Sequence, residues 1–169
     1  MRVVRLANSA VNHLQSNHIN GDVVACGIGH GFSIAGVASA FRANSDIDRD
    51  LHLYDKYWSP NICQHSKLHE RLCASQYPAD RIFYHHGILD DMLSQGAVDR
   101  IALLLLNVRH WQTARAAIEL FFPRLTRNGV LLIESDHASI ADYFRSRKIY
   151  FPLQLREQRA RIGVHHLTP

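Results

Sequence analysis

The chain has 169 residues, 47% of them apolar and 20% charged, with a formal net charge of +4. That length suits one domain around a single core, and no stretch reaches the roughly 18 to 20 uninterrupted apolar residues of a membrane span. The three cysteines, Cys26, Cys63 and Cys73, stand at unrelated spacings that make neither a disulfide framework nor a zinc knuckle.

The opening run Met1-Arg-Val-Val-Arg-Leu lacks the apolar core and small-residue cleavage site of a secretory signal, so a soluble, cytoplasmic protein is expected. Much of the positive charge lies near the C-terminus, in Arg145, Arg147, Lys148, Arg156, Arg159 and Arg161. Carboxylates and strand-like residues interleave these, so a solvated surface is expected there rather than a nucleic-acid interface. The twelve histidines are mostly isolated, and the pairs His85-His86 and His165-His166 fall at strand ends, where adjacent side chains point to opposite faces. No metal site is read from either pair.

In chain order, Val4, Leu6, Ala7, Ala10, Val11 and Leu14 predict a helix over residues 3 to 17, which Asn20-Gly21 ends. A strand from Asp22 to Cys26 runs into a glycine loop, Gly27 to Gly31, and a helix from Phe32 to Arg42. A second strand covers Leu51 to Tyr54 and ends at Asp55; a helix follows from Ser66 to Gln76. Arg81 to Tyr84 is the third strand, Ile88 to Gln95 a helix, and Asp99 to Leu106 a fourth strand, apolar throughout as befits burial on both faces. A helix from Gln112 to Leu125 is followed by a turn at Asn128-Gly129 and a fifth strand from Val130 to Ile133. Ala138 to Arg147 is a helix, and Ile149 to Arg156 and Arg161 to Leu167 close as two strands.

Strand and helix alternate through five strands, the pattern of a doubly wound parallel α/β sheet covered on both faces. The last two strands are joined by too few residues for a crossover and form an antiparallel hairpin. A single domain over residues 1–169 is expected, with an N-terminal helix in 1–19, a nucleotide-binding core in 21–134 and a helix plus hairpin in 138–169.

The loop Ala25-Cys-Gly27-Ile-Gly29-His-Gly31 joins a strand to a helix. Alternate glycines allow close backbone approach to a ligand, and the helix behind them offers free N–H groups and a positive dipole end. A dinucleotide loop needs G-x-G-x-x-G, but Phe32 stands at the third glycine position. A phosphate loop needs a closing Gly-Lys-Ser/Thr, which is absent. The observed G-x-G-x-G is the spacing that methyltransferases use for S-adenosylmethionine (SAM); a structural turn is the alternative. Asp55, at the carboxyl end of the second strand, is placed to accept both hydroxyls of an adenosine ribose, or else to cap a helix.

Gly21 to Gly31, Tyr54-Asp55, Gly87-Ile-Leu-Asp-Asp-Met-Leu93, Val98 to Leu106, Trp111-Gln-Thr-Ala114, Phe122-Pro-Arg-Leu125 and Asn128 to Ile133 occur in the order seen in one family. Over about residues 20–166 the chain resembles the macrocin O-methyltransferase (TylF/MycF/NovP-like) family, class I SAM-dependent enzymes with a Rossmann-like fold. The resemblance implies SAM as methyl donor, a hydroxyl on a sugar-like small molecule as acceptor, and magnesium in the active site. It implies that Cys26, Gly27, Gly29, Gly31 and Ser33 line the methionine end of SAM. Asp55 would take the ribose, Gly87 lie by the adenine and Asn107 sit near the reacting methyl group.

The departures from that pattern also carry information. The family has an acid where this chain has Ala25; its Asp-Gly-Asp after the fourth strand is Asn107-Val108-Arg109 here, and its Asp-Asp after the fifth is Glu134-Ser135. Magnesium wants several hard oxygen ligands, and Arg109 brings a cation instead, so no metal ligand is assigned. By the same resemblance, the chain is expected to lack most of the N-terminal segment that in relatives helps to cover substrate. His110, Glu134, Asp136 and His137 gather at the same sheet edge as candidate catalytic groups, since an imidazole can serve as base for a hydroxyl. The expected function is SAM-dependent O-methylation of a small hydroxylated compound. The alternatives are a SAM- or nucleotide-binding module without catalysis and a nucleic-acid methyltransferase. The oligomeric state is left open, a homodimer being one form.

Overall fold

The computed structural model describes residues 2–55, 63–86, 98–134, 138–149, 154–157 and 160–164. Its helices are α1 (Arg2–Ser16), α2 (Phe32–Ala43), α3 (Cys63–Ser75), α4 (Trp111–Phe121) and α5 (Ala138–Ser146). Its strands are β1 (Asp22–Cys26), β2 (Leu51–Asp55), β3 (Ile82–His86), β4 (Ile101–Leu106), β5 (Leu125–Ile133), β6 (Gln154–Glu157) and β7 (Ala160–Val164). They form one seven-stranded sheet in the order β3-β2-β1-β4-β5-β7-β6. β1 to β5 are mutually parallel, β7 is antiparallel to β5, and β6 is antiparallel to β7. The doubly wound sheet and the closing hairpin expected from the sequence are therefore both present.

Strand alternation assigns each side chain to a helix layer. Val23, Ala25, Leu103, Leu105, Val130 and Leu132 pack with Ala7, Val11 and Leu14 of α1, Val37 and Phe41 of α2, and Leu68 and Leu72 of α3. Val24, Cys26, Leu104, Leu106, Leu131 and Ile133 pack with Ile118 and Phe121 of α4 and Ile140 and Phe144 of α5. Every residue of β4 is buried, because helices cover both of its faces. Each leucine so placed contributes roughly 1.5 to 3 kcal/mol relative to exposure.

Several element boundaries differ from expectation. The predicted helix over 112–125 ends at Phe121, and Phe122–Arg124 form a 3-10 turn. Pro123 has no N–H to continue the helical ladder. β5 then begins at Leu125, five residues earlier than expected, and the Asn128-Gly129 turn lies inside it. Leu125 pairs with Ile101 and Val130 with Leu103, so the intervening residues loop out of register, with Asn128 at φ 62°. Ile149 starts no strand: its N–H donates to the Phe144 carbonyl at 2.9 Å, closing α5, and β6 begins only at Gln154. The predicted helix over 88–95 lies outside the described residues.

Candidate functional site

The carboxyl ends of β1, β2, β4 and β5 meet at the glycine loop. Gly27, Gly29 and Gly31 all have positive φ, at 76°, 52° and 78°, the left-handed region that glycine enters without penalty. The first and third are packed tightly. A Cβ on Gly27 would strike the Asn107 carbonyl, and one on Gly31 would strike Leu68 of α3. Gly29 differs: its nearest neighbour on that side is the Asn107 side-chain nitrogen at 3.7 Å. The middle glycine is thus the least crowded of the three, as a ligand's seat requires.

Asp55 braces the loop. Its Oδ2 accepts the Ile28 backbone N–H at 3.0 Å, which ties the end of β2 to the turn after β1. The loop is anchored from below as well, since Gly27 donates to the Tyr54 carbonyl and Asn107 to the Cys26 carbonyl, each at 2.9 Å. α3 supports the far side. Arg71 donates to the His30 carbonyl at 2.8 Å and lies 3.8 Å over the Phe32 ring. The N-terminus of α2 behind Gly31 has no side-chain cap, so its first N–H groups and positive dipole end face the loop.

Of the other expected residues, Ser33 is buried in the first turn of α2, near enough to Glu134 to hold its carboxyl pKa down in part. Asn107 follows β4 and is half-buried beside the loop. Cys26 is a correction in part. Its side chain lies in the core layer with Val24, Tyr54 and Leu106, and burial raises its thiol well above the ordinary range. Only its backbone borders the loop. His110 is exposed at the N-cap of α4 and makes no capping hydrogen bond with its side chain. Glu134 is held by its N–H to the Leu106 carbonyl at 2.9 Å; burial raises its pKa and Ser33 offsets this in part. Gly87, Asp136 and His137 lie outside the described residues.

Comparison of the sequence with protein families finds one match, described as a methyltransferase domain, over residues 24–135. The chain belongs to that methyltransferase family. The matched span starts within β1 and ends just past Glu134, so it contains the glycine loop, Asp55 and Asn107. No curated protein matches the sequence. Among solved structures, the methyltransferase resembles the O-methyltransferase NovP with a TM-score of 0.81 at 14% identity, over 97% of this chain and 79% of that one. It resembles CalS11, a TDP-rhamnose 3'-O-methyltransferase of calicheamicin biosynthesis, with a TM-score of 0.72 at 17% identity over 95% and 77%. SMU.1697c of Streptococcus mutans, solved in complex with SAH, aligns with a TM-score of 0.59 at 12% identity over 86% and 88%. These likenesses establish the fold. By family the chain is a SAM-dependent methyltransferase enzyme.

Among the described residues, the donors at the carboxyl ends of β4 and β5 are too few for a magnesium site. Among the described residues at the carboxyl ends of β4 and β5, Glu134 is the one carboxylate, and Arg109 is exposed nearby. An octahedral oxygen site needs more hard ligands than that. Sequence reasoning did not anticipate a different grouping, Asp22, Asp50 and His52, whose ligand atoms lie within 4.8 Å of one another. Parallel pairing of β1 with β2 brings these distant residues together. They sit at the amino ends of the strands, about a strand's length from the loop. Two of their carboxylate oxygens are already engaged. Asp22 Oδ1 accepts the Asp50 N–H at 3.0 Å, and Asp50 Oδ1 accepts Arg81 Nη1 at 3.0 Å.

No helix among the described residues is long and apolar enough to cross a membrane.

Proposed function

We propose that this methyltransferase transfers a methyl group from SAM to a hydroxyl of a small, sugar-like or natural-product acceptor, without a metal ion in the transfer. The observation that carries the reading is the loop itself: Gly29, the least crowded of its three glycines, flanked by the Asp55 carboxylate on β2 and by the uncapped start of α2. Asp55 would hold the ribose hydroxyls, and Gly27, Gly29, Gly31 and Ser33 would line the methionine end. SAM supplies an electrophilic methyl on a sulfonium. The chain's task is to hold the acceptor oxygen in line with that methyl, which is where most of the rate gain in such a transfer arises.

His110 is the candidate base for the acceptor hydroxyl, because it is exposed beside the β4 end and its side chain is not committed to capping α4. Asp136 and His137, which follow Glu134 in the sequence, are the further candidates. The sugar-like acceptor is supported by CalS11, a TDP-rhamnose 3'-O-methyltransferase, and by the fold shared with NovP. The single carboxylate among the described residues at the acceptor edge supports metal-independent transfer, and equally a second reading in which the chain binds SAM without turning it over.

Turnover of a panel of hydroxylated sugars with SAM, in the presence and absence of EDTA, tests the proposal. Methyl transfer should persist in the chelator, and His110→Ala should lower kcat by roughly 100-fold or more. Activity lost on chelation and restored by magnesium would contradict it. SAM binding with no turnover under either condition would favour the non-catalytic reading.

A further inference from the structure

Glu134 follows the last residue of β5. Along that strand Leu131 and Ile133 pack with α4 and α5, while Val130 and Leu132 pack with α1 and α2. Alternation sends the next side chain to the α2 side, where Ser33 in the first turn of α2 lies near enough to the Glu134 carboxyl to act on its titration. It is therefore turned toward the cofactor loop. Its Oε1 is fully buried and has no hydrogen-bond partner among the described residues. The ion pairs among those residues do not include it either.

A buried acceptor without a donor is costly, and native folds keep one chiefly where something else supplies the donor. The SAM seat proposed above lies over Gly29. Asn107 borders that seat, and it follows Leu106, whose carbonyl holds the Glu134 N–H. An anionic oxygen facing a ligand seat selects a ligand with a cationic donor. A sulfonium has no hydrogen to donate, whereas an ammonium has three.

The geometry points to Glu134 as the carboxylate that receives the α-ammonium group of the cofactor's methionine end. This rests on the proposed SAM site and assigns Glu134 to binding rather than to proton abstraction. Burial holds the carboxyl above the ordinary range while the seat is empty, as an uncompensated carboxylate should behave.

The test compares three ligands by calorimetry on the full chain. 5'-Methylthioadenosine has neither ammonium nor sulfonium, S-adenosylhomocysteine has the ammonium alone, and SAM has both. Glu134→Gln keeps the shape but removes the charge. It should weaken S-adenosylhomocysteine and SAM by the same factor, on the order of 10-fold to 100-fold, and leave 5'-methylthioadenosine unchanged. The last ligand doubles as a check that the site is folded. Glu134→Asp, which keeps the charge but withdraws it by one methylene, should give a smaller loss with the same ligand pattern. Unchanged S-adenosylhomocysteine affinity in Glu134→Gln, or equal losses for all three ligands, would overturn the assignment. Failure of the unsubstituted protein to bind any of the three would instead overturn the SAM site.

Discussion

Three glycines of the loop share a left-handed backbone but sit in different surroundings, and the difference predicts opposite phenotypes. At Gly27 an added Cβ meets main chain, the Asn107 carbonyl, which cannot swing aside. Gly27→Ala should therefore lower stability by about 1 to 3 kcal/mol or more, the range for overpacking, read as a lower melting temperature. At Gly29 an added Cβ meets only the Asn107 side chain, at an ordinary contact distance of 3.7 Å. Gly29→Val should cost about 1 to 2 kcal/mol for its left-handed backbone and leave a folded protein that no longer binds S-adenosylhomocysteine. Normal binding by Gly29→Val would show that the seat is not where the ligand lies. The importance of these glycines was legible in their spacing. Their division into two packed positions and one less crowded one was not, because it depends on Asn107 and Leu68, far away in sequence. Glu134 gives the same lesson: its place at a strand end could be read, but not the helix layer it faces.

At the scale of elements, periodicity identified the strands and helices well and placed several of their ends poorly. Ile118, Phe121, Phe122 and Leu125 keep helical spacing, so the pattern runs straight through the point where Pro123 stops α4. The closing hairpin was legible because its connection is too short for a crossover. Its role follows from its pairing: β7 covers the open edge of β5 from Val130 to Ile133. A chain ending at Arg147 should expose that edge and aggregate or lose fixed packing, as gel filtration and near-ultraviolet circular dichroism would show. A soluble, cooperatively melting truncation would contradict this.

The opposite edge of the sheet carries a titrating pair. His52 Nδ1 and His85 Nε2 are 3.0 Å apart, and His85 stacks on Tyr54 at 4.3 Å. Desolvation lowers both imidazoles below the ordinary value of 6.5, although Asp22 and Asp50 oppose this at His52. A folded-state pKa below the unfolded one means that the native protein binds fewer protons. The stability this pair contributes is thus present above about pH 6.5 and lost as the pH falls below it. His85→Phe keeps the stacked ring without the charge. It should shrink the drop in melting temperature between about pH 7.5 and 5.5; an unchanged drop would place the acid sensitivity elsewhere.

For the molecule as a whole, the account joins a fold to a ligand. The family match spans residues 24–135, and the sheet order, the loop torsions and the NovP-like architecture agree with it. The central claim is that the carboxyl ends of β1 and β2 hold the adenosine of SAM, with Asp55 on the ribose. Calorimetry of S-adenosylhomocysteine on the unsubstituted protein and on Asp55→Ala tests it most directly. The account predicts one site per chain, weakened in Asp55→Ala by about 1.5 to 3 kcal/mol, the range for hydrogen bonds to a charged group. It also predicts a similar loss for 5'-methylthioadenosine, which keeps the ribose, unlike the pattern expected for Glu134→Gln. No binding by the unsubstituted protein, or full affinity in Asp55→Ala, would contradict it.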